Sequence, residues 1–566
     1  MNHALKGAAA FLLLTGLHTS SFAQIDLPGN NTGVVKGDVE FVMQQYNADT
    51  LINAAVPDSK TAINAFTNIL YNNGPFSAGL RYETYLNRLE GYPDRFKGTG
   101  IGYRFFSFNN DGLEVTAGNF YEQFGLGLTL RAWEQRQLGV DNAIDGLRVR
   151  YNPYRGVYVK GVYGKQRVDF NNGLINGEGI IRGVDGEVVI NELTDSLANL
   201  PFRLALGANF VSKYQKDNDP TLILPENVGA WAYRATFSYK NFGLQGEYAY
   251  KINDPSENNG YIYKPGQAIL LNARYSTKGF GLVLDYKFSD NMSFRSDRQE
   301  ILTNAMVGFL PALTRPHTYN LAATLYPYNV QFNEVAYQAN LSYQFKKGSL
   351  LGGKDGMTIA LNYSVALALD TTQINDMSLT DPAAKRMGYS TKMFGHGDNL
   401  YYQDVNVEIR KKLSKSLKLN LMYLYLVYNN DINQGAYNND GKAPKGKIYS
   451  HIGIVDLSWK ISKKHNLRTE LQTLLTHQHQ GDWVTGLLEY TYSPHWFVAL
   501  LDQYNVGNRQ EVYRIHYLLG SVGYIKGPTR LSVSYGKQRA GLFCVGGVCR
   551  TVPASNGFTV TLNSTF

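Results

Sequence analysis

Alternation of apolar and polar side chains recurs along the whole chain beyond residue 33, and few folds accommodate it. In GLVLDYKFSD, Leu282, Leu284, Tyr286 and Phe288 fall on one side of an extended backbone, with Asp285 and Lys287 on the other. QDVNVEIRK sets Val405, Val407 and Ile409 against Asp404, Asn406, Glu408 and Arg410. LRYETYL sets Leu80, Tyr82 and Leu86 against Arg81 and Glu83, and NLRTELQTLL sets Leu467, Leu471 and Leu475 against Arg468, Glu470 and Gln472. A period of two assigns each set to its own face of a sheet. Strands of this kind build either a soluble sandwich, with the apolar faces meeting in a core, or a closed barrel with lipid outside and water within.

The connections separate the two. Short links recur in YNPYRGVYV, YKNFGL, STKGFGL, LSKSLKL, ISKKHNL, YSPHWF and IKGPTR. Long polar stretches lie between them, at residues 213–225, 253–265, 371–399 and 429–446. Outer-membrane barrels alternate short periplasmic turns with long extracellular loops in this way, and a sandwich has no reason to keep that parity. The expected fold is therefore all-β: a single large transmembrane antiparallel barrel over residues 34–566, of about 26 strands, within about four. Counted from a periplasmic start near Val34, the parity returns the stretch 557–566 to the periplasm and puts every long loop outside.

Residues 1–23 have the three-part layout of a cleaved signal peptide: Lys6, an apolar run from Ala8 to Leu14, and Ser21-Phe22-Ala23 before Gln24. Residues 24–33 form a short segment ahead of the barrel. At the other end, GFTVTLNSTF directs Phe558, Val560, Leu562 and Phe566 to lipid and Thr559, Thr561 and Asn563 to the lumen. A terminal aromatic on such a strand resembles the signal read by bacterial barrel-assembly machinery, which is an expected partner together with outer-membrane lipid. Mean hydropathy is only −0.28, yet 41 Tyr, 27 Phe and 56 Gly beside 18 Pro suit strands whose two faces meet different solvents.

Net charge is +9, spread through the strands with no basic tract, so a nucleic-acid partner is not expected. A positive lumen that favours anionic solutes and a basic rim against acidic headgroups both account for it. Cys544 and Cys549, in LFCVGGVCR, are expected to form a disulfide that staples a loop, since no further metal ligands lie nearby.

The most unusual stretch is GNFYEQFGLGLTLRAWEQRQLGVDNAIDGLRVRYNP. Parity makes 113–123 an outgoing strand and 145–151 the returning one, so the segment between is the third extracellular loop. It carries Leu126, Leu128, Leu130, Trp133 and Leu138, too many apolar residues for a solvated loop. It is expected to fold inward, bringing Arg131, Glu134, Arg136 and Asp141 toward the pore axis near Arg148, as a candidate constriction. The alternative is that the strands extend above the membrane and these charges pair with each other. Residues 371–399 are a second candidate for filling the lumen.

RYETYLNRLEGYPDRFKGTGIGYR, AGNFYEQFG, residues 138–151, ILPENVGA, EYAYKINDP and DNMSFRSDR together resemble an uncharacterised outer-membrane barrel family of Bacteroidota, which are Gram-negative bacteria. That resemblance implies location and fold and no substrate. A long loop with Arg and Trp, followed by Asp-Gly before an alternating strand, is also similar to alginate and sugar-acid porins.

No HExxH, GxSxG or Walker-type loop occurs, and His477 and His479, expected at the outer end of a strand, do not by themselves make a metal site. Neither an enzyme nor a cofactor is expected. The leading expectation is a channel or porin for small polar or anionic solutes in the cell outer membrane. The competing one is a non-conducting barrel that serves as scaffold or accessory in a surface secretion or assembly complex, with a surface lipoprotein as partner.

Overall fold

The computed structural model describes residues 24–25, 33–374, 387–435, 444–545 and 548–566, so the expected signal peptide lies outside the described residues. Its 24 antiparallel strands close into one barrel, two fewer than the alternation suggested and inside its margin. Closure is made by Gly33–Tyr46, which pairs with Thr61–Asn73 on one side and with Ser555–Thr565 on the other. The second pairing runs from Asp38 opposite Thr565 to Tyr46 opposite Gly557. No barrel edge is left with unpaired backbone groups, which is the condition for a sheet to cross lipid.

All the short links quoted above lie at one end of the barrel. Between Gly98–Asn110 and Leu113–Phe120 the chain turns on Asp111 and Gly112 alone, at φ 46° and 77°. Two successive residues of that sign match the right-handed twist of a hairpin, and aspartate followed by glycine tolerates it best. The opposite end holds the long connections, including residues 121–143, 252–265 and 291–333. The stretch 291–333, between Phe280–Asp290 and Glu334–Phe345, is long enough for a further hairpin, and it contains only the short helix Asn320–Thr324.

The outer face is apolar all round: Leu80, Phe106, Val184, Tyr233, Leu284, Tyr423, Leu471, Val498, Tyr535 and Phe558 are all exposed. Of the expected inward residues, Arg81, Glu83, Lys287, Asp404, Asn406, Glu408, Glu470 and Gln472 are all under one tenth exposed, while Arg410 and Asn563 are exposed. A side chain on the lumen wall becomes that buried only where something fills the lumen beside it. Phe566 lies outside, its ring over Gly37, where an added Cβ would stand 2.4 Å from it. A side chain at residue 37 would displace that terminal ring.

The described part of 371–399 does not enter the lumen. Met357–Gln373 and Tyr389–Lys412 rise as a long hairpin that leans over the outer wall, where Phe394 stacks on Tyr286 at 5.9 Å. Leu369 packs there with Ile269, Phe288 and Val335, all of the outward parity. The apolar outer surface at this rim offers the hairpin more burial than a polar lumen would. Residues 375–386 lie outside the described residues.

Candidate functional site in the lumen

Two long loops from the same end fold into the barrel. The first, 121–143, leaves Leu113–Phe120 and returns into Ile144–Tyr154, as the parity argument required. Its apolar residues account for its direction. Phe124 and Leu130 are fully buried against Val162, Ile181, Val211, Val228 and Ala230 of the inner wall. Leu128 packs on Ala232, Ala249 and Ala268. Those small wall residues leave the room that the leucines take.

Polar anchors fix the same loop. The backbone N–H of Leu126 donates to the Glu247 carboxylate at 2.6 Å, and Thr129 Oγ1 donates to Asn209 at 2.6 Å. Gly125 sits so close to Glu247 that a Cβ would fall 2.1 Å from its oxygen, and its φ of 51° further favours glycine. The glycine in GLGL thus lets the loop reach a wall carboxylate.

The second loop, 291–333, lies against the first. Arg131 N–H donates to Val307 O at 2.7 Å, and Phe309 N–H donates to Gly127 O at 3.0 Å. Asn142 and Gln166 both donate to the carbonyl of Met306, at 2.9 and 2.5 Å. From there the loop crosses to the far wall. Leu321, Leu325, Tyr326 and Tyr328 pack on Met422, Leu424, Leu426, Tyr428, Ile452, Ile454 and Leu474, all pointing inward. His317 meets Asp404 at 2.5 Å, Arg315 pairs with Glu408, and Gln472 accepts from Leu321 N–H at 2.8 Å. Sequence reasoning missed this loop. The available signal was LNLMYLYLVYN, apolar on both faces of the strand Leu417–Asn429, as expected of a strand covered on both sides.

The five candidate constriction residues divide into three groups. Glu134, Arg136 and Asp141 come together in a buried ion network with wall residues that were not singled out as site residues. Arg81 binds Glu83 at 2.7 Å, Glu134 at 2.9 Å and also Asp141. Arg167 reaches Glu83 at 2.7 Å and Asp141 at 2.8 Å, and Arg136 bridges Glu134 at 2.7 Å to Glu40 at 2.8 Å. Arg148 is apart, paired with Glu114 and donating to Tyr121 O at 3.1 Å. Arg131 makes no ion pair among the described residues. Its guanidinium lies over the ring of Phe309, 4.0 Å from the centroid.

Electrostatics follow from these partners. Burial alone would raise Asp141, but Arg167 and Arg81 outweigh it and hold the carboxyl below its ordinary range. Glu134 is pushed up, by burial first and by the Asp141 charge as well. Burial lowers Arg131, with no carboxylate to offset it. Three guanidiniums face four carboxylates in the network, so it presents no positive ring to a solute. The inward loop and the mutual pairing of charges, framed above as alternatives, occur together.

Cys544 and Cys549 are joined, with their Cα atoms 4.1 Å apart, across the hairpin of Gly541–Val545 and Val548–Val552. His477 and His479 lie in the loop after His465–Leu475 rather than on the strand, where His479 Nδ1 meets Tyr326 Oη at 3.4 Å. Tyr402, on Tyr389–Lys412, is buried against Tyr328, with ring centroids 4.9 Å apart.

Among solved structures the chain is similar to a mutant ferric enterobactin receptor (PfeA) from Pseudomonas aeruginosa, at 10% identity and TM-score 0.41, covering 94% of this chain and 80% of that one. It is similar to the P pilus usher (PapC) translocation pore at 9% identity and TM-score 0.38, covering 94% and 99%. A third, the outer membrane protein OpdK from Pseudomonas aeruginosa, matches at 10% identity and TM-score 0.34 over 81% and 98%. No curated protein matches. The model of one family covers residues 4–566, and the chain belongs to that family, a family of unknown function designated DUF6029.

Proposed function

We propose that the chain is a substrate-selective channel of the outer membrane, constricted by its own extracellular loops, for small polar or anionic solutes. The observation that carries this reading is the crossing of the lumen by 291–333, docked on both walls and bonded to 121–143. A barrel of 24 strands would otherwise enclose a wide aqueous pore. Loops held only by noncovalent contacts narrow it to a size and charge filter. The apolar outer face and closed edge support residence in lipid, and the long-loop end is the extracellular one by analogy with outer-membrane barrels. Within the filter, Arg131 is the group that favours anions: it is half-buried, is not ion-paired among the described residues, and lies where the two loops meet.

The experiment is planar-bilayer conductance of the purified barrel. A small current that rises when residues 127–140 are deleted supports a loop-constricted channel. A second reading, the non-conducting scaffold for a secretion or assembly complex or a lipoprotein, is favoured by one observation: the second loop meets the far wall through a buried apolar cluster. Zero current in the folded wild-type barrel selects it and ends the channel reading.

A further inference from the structure

At the long-loop end, beside the seat of the second loop, the connections 47–60, 476–482 and 505–515 flank a half-open cavity of about 270 Å³. None of its ten lining residues is charged. Its lining combines the aromatic residues Trp483, Tyr513 and Tyr517, of which Tyr513 is the exposed one, with the side-chain amides of Gln480, Asn505 and Asn508. We infer that this cavity is a binding site for a small neutral saccharide. Its outward exposure rests on the sidedness proposed above.

The hydrogen-bond inventory supports a ligand. With its amide oxygen and nitrogen exchanged, as its neighbours require, Asn505 is committed to its own loops: it donates to the carbonyls of Gln480 at 2.9 Å and Asp482 at 3.1 Å, and accepts from Asn508 Nδ2 at 3.1 Å. The Trp483 side chain is 1% exposed, yet its indole N–H has no partner, and Gln480 Oε1 likewise has none. A buried donor and acceptor left unmade are costly; neither atom is open to solvent, so each meets a ligand hydroxyl only when its side chain turns toward the cleft. Tyr513 is 47% exposed at the mouth, and the Trp483 and Tyr517 rings lie 6.0 Å apart at 33°. Aromatic faces accept the C–H face of a sugar ring while the amides take its hydroxyls. An acidic sugar would bring a charge that no lining residue neutralises.

The site also touches the second loop. Trp483 belongs to the apolar cluster of Leu321, Leu325 and Tyr326, and Arg539, over the Trp483 ring at 5.8 Å, donates to Thr324 O at 2.7 Å. A sugar in the cavity therefore bears on a side chain that seats the second loop.

Isothermal titration of the detergent-purified full chain tests the assignment, using maltotriose, N,N′-diacetylchitobiose and cellobiose as neutral probes and glucuronate as the charged comparison. Measured without a transport step, it gives an answer independent of whether the barrel conducts. The expected result is saturable binding of at least one neutral probe in preference to glucuronate, weakened about tenfold by Tyr513→Ala and by Trp483→Phe. Tyr513 is exposed, so its variant leaves the barrel wall unaltered if Trp483→Phe fails to fold. Absence of binding by all three neutral probes, tighter binding of glucuronate, or affinity unchanged in Tyr513→Ala overturns the assignment.

Discussion

Two of the contacts that hold the lumen loops to their walls rest on different physics. Loop 121–143 is tied beside the wall of Phe76–Leu86 and Val157–Phe170 by Arg81, Glu83, Arg167 and Asp141, with its own Glu134 and Arg136 joining in. The far part of loop 291–333 lies on Leu417–Asn429 and Lys447–Lys460 through Leu321, Leu325 and Tyr326 against Leu424, Leu426 and Ile452. The first contact is directional, because a guanidinium and a carboxylate match in only a few geometries. The second is non-directional and scales with the apolar area removed from water. The difference teaches that one lumen can hold a lock sensitive to single charges beside a seat sensitive to volume.

Removal of residues 311–328, replaced by a short Gly-Ser link, should have the largest effect, raising bilayer conductance on the order of tenfold. If conductance stays unchanged, the second loop is not the principal obstruction and the comparison fails at its root. Next is Arg167→Met, which leaves Glu83 and Asp141 buried with one cation fewer and should cost about 3–5 kcal/mol in the docking of 121–143. Urea titration of protease protection in that loop measures it. A cost below 1 kcal/mol would mean that the network is surplus to the loop's apolar contacts.

On the apolar side, Leu424→Ala should cost about 2–4 kcal/mol in the docking of 291–333, through a cavity rather than a lost charge. The same protection assay applied to both loops sharpens the contrast, because this variant should leave 121–143 unchanged. The smallest effect is that of acid. Asp141 has a depressed carboxyl, so its contribution is present above its unfolded value of about 4 and is lost as pH falls through the lower folded value. Glu134 is shifted up, so it takes a proton first and relieves repulsion at Asp141. Protection of 121–143 should therefore hold through mild acid and fall only below about pH 4. The Leu321–Leu424 contact has no titrating group and should persist even where the Arg315–Glu408 pair of the same loop weakens; its release together with 121–143 would show that the loops act as one body.

Much of this was legible in the residues, for a reason that the strands make plain. Arg81 and Glu83 alternate with Leu80 and Tyr82, and a period of two leaves no choice about which pair meets lipid. The parity of links placed 121–143 correctly, and its leucines gave its inward direction. The partners of Glu134, Arg136 and Asp141 were not legible. Arg167 lies 26 positions beyond Asp141, on another strand, and only barrel curvature brings it within 2.8 Å. The second loop escaped notice because an inward Leu424 and an outward Tyr423 look alike to a hydropathy pattern.

The sequence by itself determined that this chain is a closed barrel: the faces of its strands, the end that carries the long loops, and the pairing of a terminal strand that is apolar on one side. Those properties follow from local periodicity and from turn chemistry, which act over a few residues. Only the tertiary structure decided what occupies the lumen. Long-range contacts across a cylinder have no sequence period, and the same leucine is stabilised by lipid or by a loop according to what the closed wall sets opposite it.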